Sequence, residues 1–143
     1  MARALVITST RNPLLKEIRK AASRSTLTPD GHCVAETFHL LEEALRSGCE
    51  VPQVIVADHV RSVVEKRIGR LAGVRLHAMP SALFDEVAST ESSQGVMALV
   101  RPPAWTMDHL FRGRSLVVVL DGVQDPGNAG TIIRAADAAG ADG

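Results

Sequence analysis

A five-residue apolar run near the end of the chain, Leu116-Val-Val-Val-Leu120, constrains the possible folds more than any other stretch. It shows no alternation of apolar and polar residues, which is the pattern of a strand covered on both faces of a parallel sheet. Asp121 and Gly122 end it, and Asp125-Pro-Gly-Asn128 is dense turn chemistry. Thr131 to Ala139 is rich in Ala and Ile, a helix-forming sequence that stops at Gly140. Strand, polar loop and helix in that order place the loop at the carboxyl end of a parallel strand, the edge at which open α/β sheets take their ligands. One βα unit cannot cover its own apolar faces. The run needs neighbouring strands that the 143 residues do not supply. The expectation is a piece of a longer protein, preferred over a piece that packs on another chain.

Upstream the pattern differs. Asn12-Pro13 reads as a helix entrance, with Asn12 as N-cap and Pro13 at the first helical position, and Leu14, Leu15 and Ile18 form an apolar stripe. Ser25 to Gly31 is a polar loop. A strand is expected over His32–Ala35, a helix through Phe38, Leu41, Ala44 and Leu45 to near Gly48, and a strand over Gln53–Ala57. A helix follows over Val60–Leu71, closed by Gly73, then a strand over Val74–Ala78. Ser81 is the candidate cap of a short helix through Leu83, Phe84 and Val87, and Gly95–Val100 is a last strand. This alternation predicts an α/β domain with a largely parallel sheet between helices.

Arg101-Pro-Pro-Ala-Trp105 breaks the rhythm, because two prolines remove backbone donors and stiffen the chain into a connector. Thr106 to Phe111 allows one short helical turn. The division expected is therefore a domain over 1–100, a linker over 101–114 and the start of a second domain over 115–143. Packing of the linker is the preferred role for Trp105, the only tryptophan, over base stacking.

Composition narrows the function classes. Apolar residues make up 45% of the chain and aromatics 3%, so the core is aliphatic and broad stacking platforms for bases are not expected. Lys and Arg total 16, as do Asp and Glu, so any basic surface must be local. Cys33 and Cys49 fit free thiols in an intracellular chain. No signal peptide or membrane-length apolar run is apparent, which makes a soluble, cytoplasmic protein the default. The five histidines are scattered and the cysteines lie outside ligand spacing, so no metal site is expected. No Ser/His/Asp or Cys/His arrangement is supported.

The most basic stretch of the first half sets Arg11, Lys16, Arg19, Lys20 and Arg24 against Glu17 alone. A solvated helix face and an RNA-phosphate patch are both open readings. Near the end of the chain, Gly122 and Gly127 have the spacing that opens a phosphate loop, but Asn128 stands where Lys is required, and Gly127 and Gly130 do not complete GxGxxG. Asn128 sits where a helix N-cap belongs, and free N–H groups there suit an anion such as an RNA phosphate. Arg134 lies six residues on, a rise of roughly 9 Å, and helical side chains lean toward the N-terminus, so the two could converge on one ligand group.

The stretch LDGVQDPGNAGTIIRAADAAGADG resembles the first conserved motif of the SpoU (TrmH-type) RNA 2′-O-ribose methyltransferases of the SPOUT superfamily. The first half is similar to that family's substrate-binding domain, in Ile7-Thr-Ser-Thr-Arg-Asn-Pro-Leu-Leu-Lys16, in Glu36 and in Thr90-Glu-Ser-Ser-Gln-Gly95. Thr37 departs from the Gly usual after that Glu. The resemblance implies a three-layer α/β/α RNA-binding domain, a Pro-containing linker, and the first βα unit of a parallel-sheet, trefoil-knot catalytic domain truncated at Gly143. It implies methyl transfer from S-adenosylmethionine to a ribose 2′-hydroxyl of structured RNA, ribosomal in preference to transfer RNA. It assigns Arg134 to activation of the hydroxyl and Asn128 to shaping the pocket, and it makes Arg11, Asn12, Lys16, Arg19 and Lys20 the candidate RNA-binding residues. The cofactor site is expected in the missing C-terminal part, and the intact protein is expected to form a homodimer through its catalytic domain. These residues alone are expected to bind RNA without catalysis. Two rivals are a non-catalytic RNA-binding module and, disfavoured by the failed loop signatures, a nucleotide-binding α/β enzyme.

Overall fold

The computed structural model describes residues 4–68, 73–90 and 93–143. The chain divides into two compact units, Met1–Pro103 and Ala104–Gly143. The first unit runs β1 (Leu5–Val6), α1 (Pro13–Arg24), β2 (Cys33–Ala35), α2 (Phe38–Arg46), β3 (Glu50–Ala57), α3 (Arg61–Ile68), β4 (Arg75–Met79), α4 (Ser81–Asp85) and β5 (Val96–Arg101). A 3₁₀ turn over Asp58–Val60 leads into α3. Leu71, expected to end that helix, lies outside the described residues.

The five strands form one sheet in the order β1-β4-β3-β5-β2. β1, β4 and β3 are parallel, whereas β5 runs antiparallel to both β3 and β2. The sheet is mixed, which corrects the largely parallel one expected. A parallel return must carry the chain back along the whole neighbouring strand, about 26 Å for eight residues. The only helix described between β4 and β5 is the five-residue α4, with a rise of about 7.5 Å. The chain instead re-enters beside the end it left, and Val96 pairs with Val56 near the end of β3.

Residue alternation along the strands sorts the core into two halves. Val54, Val56, Leu76, Ala78, Val96 and Ala98 face α2 and α3, where Leu41, Val64 and Ile68 cover them. Ile55, Ala57, Met79, Met97 and Leu99 face α1 and α4, where Leu15, Ile18 and Phe84 cover them. The sheet is thus covered on both faces, as the continuous apolar runs of its central strands require. Cys33 and Cys49 are free and half-buried.

Local signals account for most element ends. Asn12 caps α1, its Oδ1 accepting the Leu14 N–H at 2.9 Å, with Pro13 first in the helix. Ser81 does not cap α4. Pro80 precedes that helix, and the Ser81 hydroxyl pairs with His59 Nδ1 at 2.8 Å. Gly95 has φ +72°, and a Cβ there would lie 3.0 Å from both His59 Cε1 and Val60 Cγ2. Only glycine fits at the start of β5 without displacement.

In the second unit α5 (Met107–Leu110) is one short turn, and α6 (Pro126–Ala138) is the main helix. α6 starts five residues before the expected Thr131. Gly140, at φ +77°, ends it, with the Ala141 N–H returning to Ala136 C=O at 2.9 Å. Leu116–Leu120 has no strand partner among the described residues. All of it but the half-buried Val117 is exposed, Val119 by 83%. Beyond α6 the chain returns alongside Leu116–Val118. Asp142 N–H donates to Leu116 C=O at 2.7 Å and Val118 N–H donates to Gly143 C=O at 2.8 Å. Trp105 is 72% exposed, meets the His109 ring edge-on with centroids 5.5 Å apart, and lines one cavity with Leu120, Ile132 and Ile133 of its own unit.

Candidate functional site

Lys16, Arg19, Lys20 and Arg24 stand on the solvent side of α1, with Arg11 just before it, because Leu15, Ile18 and Ala21 turn the opposite face to the sheet. Arg11, Lys16, Arg19, Lys20 and Arg24 are exposed and Asn12 is half-exposed. They are not equivalent. Arg19 donates from Nη2 to Glu86 C=O at 3.1 Å, closing the end of α4, and Asn12 is spent on its cap. Lys16, Lys20 and Arg24 recur at intervals of four and form one stripe, the spacing at which helical neighbours share a face.

The segments around Glu36 and Gln94 are tied to each other. Both Glu36 carboxylate oxygens accept the Ser89 N–H, at 3.2 and 3.1 Å, and Gln94 Oε1 accepts the Phe38 N–H at 3.0 Å. Thr37 Oγ1 accepts the Leu40 N–H at 3.0 Å, so the threonine found in place of glycine is the N-cap of α2. Glu36 and Gln94 therefore hold the loop before β5 against α2. Glu91 and Ser92 of the same segment lie outside the described residues.

At the start of α6 the cap is Asp125, not Asn128. The Asp125 carboxylate accepts the Gly127 N–H at 2.9 Å, Pro126 takes the first helical position, and Asn128 lies exposed within the first turn. The anion expected at this helix end is thus the protein's own carboxylate. The signal was present, since Asp125-Pro126 repeats the Asn12-Pro13 pattern. The Arg134 side chain does fold back toward the loop. Its Nη2 donates to Thr131 Oγ1 at 3.2 Å, and Thr131 Oγ1 donates to Gly127 C=O at 2.9 Å. Its Nη1 lies 3.4 Å from where a Gly130 Cβ would stand. Asn128 and Thr131 line one shallow groove with Gly122–Asp125 and Ile132; Arg134 is not in its wall but donates to Thr131. The Asn128 carboxamide thus borders an exposed recess, and the Arg134 guanidinium is hydrogen-bonded to Thr131 of its wall.

Every position from Asp121 to Asn128 is exposed, and Asp125 is committed to the cap. Small-molecule sites bury most of their ligand among convergent polar groups.

The mixed-sheet α/β fold is that of the SpoU methyltransferases. The AdoMet-bound rRNA methyltransferase of Sinorhizobium meliloti matches with TM-score 0.72 and 29% identity, over 96% of this chain and 52% of that one. The SpoU methyltransferase AviRb from Streptomyces viridochromogenes, in complex with AdoMet, matches with TM-score 0.72 and 25% identity, over 93% and 52%. Within that class the chain belongs to the MRM3-like substrate binding domain family, whose model matches residues 12–98. The 23S rRNA (guanosine(2553)-2′-O)-methyltransferase RlmP of Bacillus subtilis is 34% identical over 136 residues, 95% of this chain and 52% of its own length. The chain thus spans about half the length of the curated relatives it matches.

Proposed function

We propose that the protein to which these residues belong methylates a ribose 2′-hydroxyl of structured RNA, ribosomal rather than transfer RNA, with S-adenosylmethionine as donor. In this reading residues 1–100 hold the RNA, 101–114 connect, and 115–143 open the catalytic domain. The cofactor site lies outside these residues, the protein works as a homodimer through its catalytic domain without a metal, and it resides in the cytoplasm. The observation that carries the reading is the placement of Asn128 and Thr131 on one exposed recess after the Leu116–Leu120 segment, with the Arg134 guanidinium hydrogen-bonded to that Thr131, in a chain 34% identical to an rRNA 2′-O-methyltransferase.

A ribose hydroxyl is a poor nucleophile until its proton leaves or its developing alkoxide is stabilised. A guanidinium is a fixed positive charge, so Arg134 serves to favour the alkoxide and hold an adjacent phosphate, not as a base. Thr131 fixes one arm of that guanidinium. Asn128, released from capping, offers its carboxamide to the ribose or base edge. S-adenosylmethionine, when bound, supplies an electrophilic methyl group.

Mapping of ribose methylation in RNA from cells lacking the gene for this chain tests the reading. Loss of one 2′-O-methyl group is expected, reproduced by Arg134→Ala in the gene, and an unchanged methylation map overturns it. Calorimetry of the 143-residue chain with S-adenosylmethionine tests the cofactor placement. No stoichiometric binding is expected, and tight binding puts the site within these residues.

A further inference from the structure

A groove of about 670 Å³ opens beside the C-terminal end of α1, between β2, the start of α2 and the Ser89–Thr90 loop. Its floor includes Ala21, Ala22 and Val34, and its rims carry Leu27 and Leu40, which are 53% and 48% exposed. Hydroxyls of Ser25, Thr26 and Thr37 border it. Across Thr26 and Leu27 it continues into a second groove whose wall includes Lys16 and Lys20. The two share Ala21, Thr26 and Leu27, so cations, apolar rims and hydroxyls lie along one track.

Ser25 marks the junction. It has φ +49° and ψ +44°, the only left-handed non-glycine among the described residues, at a helix C-cap where glycine is the usual occupant. An L-residue there is disfavoured by its Cβ. The side chain is kept at the groove despite that strain.

Resting on the RNA-binding reading above, we propose that this groove is the seat of one unpaired nucleotide of the substrate RNA. The base lies between Leu27 and Leu40 with its polar edge toward the hydroxyls, and Lys16 and Lys20 hold the adjoining phosphates. Single-stranded RNA is read this way, with splayed bases in pockets and phosphates on flanking cations. The volume falls within the range of about 300–1,000 Å³ of small-ligand pockets, and a duplex could not enter it. Charge complementarity selects RNA over a peptide, since the track continues onto the Lys16–Lys20–Arg24 stripe. The Glu36 carboxylate in the wall is already engaged by Ser89 N–H.

The test is fluorescence anisotropy of the 143-residue chain with a short RNA hairpin carrying 2-aminopurine in an unpaired loop, against a fully paired duplex. The hairpin is expected to bind more tightly, with a change in 2-aminopurine emission on binding. The Leu27→Ala, Leu40→Ala double variant is expected to lose about tenfold in affinity with an unchanged salt slope. Lys16→Glu with Lys20→Glu is expected to weaken binding and flatten the slope by about 1.5, the loss of two phosphate contacts. Ser25→Gly removes the hydroxyl and the strain together, so a Tm raised by a few degrees with weaker hairpin binding is expected, a pair that a merely structural role cannot produce. Equal affinity for hairpin and duplex, or leucine variants that bind as the parent does, overturn the nucleotide seat while leaving RNA binding intact. Absence of RNA binding by the parent chain overturns the underlying reading as well.

Discussion

Replacing Gly95 by alanine is expected to be among the most damaging single-atom additions to the first unit. Two effects add. The backbone sits at φ +72°, where an L-residue costs about 1–2 kcal/mol. The new Cβ also lies 3.0 Å from His59 Cε1, 3.0 Å from Val60 Cγ2 and 3.2 Å from Ala57 Cβ. Relief requires moving the end of β3 or the 3₁₀ turn, and overpacking of this kind costs about 1–3 kcal/mol. Neither neighbour can yield freely, because Ala57 N–H donates to Gly95 C=O at 2.8 Å and the His59 ring is held by Ser81. The sum is about 2–5 kcal/mol, a Tm loss of at least about 10 °C for a unit of this size. Far-UV circular dichroism in urea is the assay, since the only tryptophan, Trp105, belongs to the other unit and the chain has no tyrosine. His59→Ala in the Gly95→Ala background removes one of the three contacts, and a favourable coupling of at least about 0.5 kcal/mol is expected. A Gly95→Ala loss below about 0.5 kcal/mol would refute the close approach on which the reasoning stands.

Two further outcomes follow from the geometry. Asp125→Ala is expected to weaken α6 by about 1 kcal/mol, seen as faster amide exchange in its first turn, while Asn128→Ala leaves that exchange unchanged; the reverse pattern restores Asn128 as the cap. His77 is held below the usual histidine pKa, first by burial and then by the charge of Arg75, and its Nε2 is buried without a hydrogen-bond partner. Between that depressed folded pKa and the unfolded value of about 6.5, the unfolded chain binds more protons, so stability falls as pH drops through the window. The urea midpoint is expected to be lower at pH 5 than at pH 7, and His77→Leu to remove part of the difference; an undiminished difference in that variant sinks the assignment.

How much of this was legible depends on the range over which each signal acts. The start of α1 could be read because Asn12, Pro13 and Leu14 settle it among themselves. The same chemistry at Asp125-Pro126 is masked by Gly127 and Gly130, which lower helix propensity by about 1 kcal/mol each and make the stretch look like a turn. The direction of β5 was not readable, since it depends on where a 16-residue connection brings the chain back, not on any residue in the strand. β1 is two residues long and exposed at the sheet edge, too short for a periodic signal. The ties from Glu36 to Ser89 and from Gln94 to Phe38 span 53 and 56 residues, so no local pattern announces them. Conversely, the apolar run Leu116–Leu120 was obvious, and the exposure of Leu116, Val118, Val119 and Leu120 agrees with the rule that one βα unit cannot cover its own apolar faces.

The identity of the α6 cap changes how anions can be handled in the second unit. An uncapped helix start offers free N–H groups and the positive end of a dipole, worth about 0.3–1 kcal/mol to a negative group. With Asp125 in that position the same end presents a carboxylate, and a phosphate brought within about 4 Å in a solvated setting would meet a repulsion of about 1 kcal/mol instead. Recognition of an RNA phosphate here therefore cannot rest on the backbone of the first turn. On the proposed function it falls to Arg134, two turns along the face that begins at Gly127, whose guanidinium lies over Gly130 because no side chain stands there. The glycines that weaken the helix are thus what lets the arginine lie along it, and Thr131, bonded to both Gly127 and Arg134, holds that placement. Asn128, freed from the cap, is left exposed on the recess with its full set of donors and acceptors. The pair Asn128 and Arg134 remains the centre of the candidate site, but through side chains presented along a bare helix face, not through an anion hole at its end.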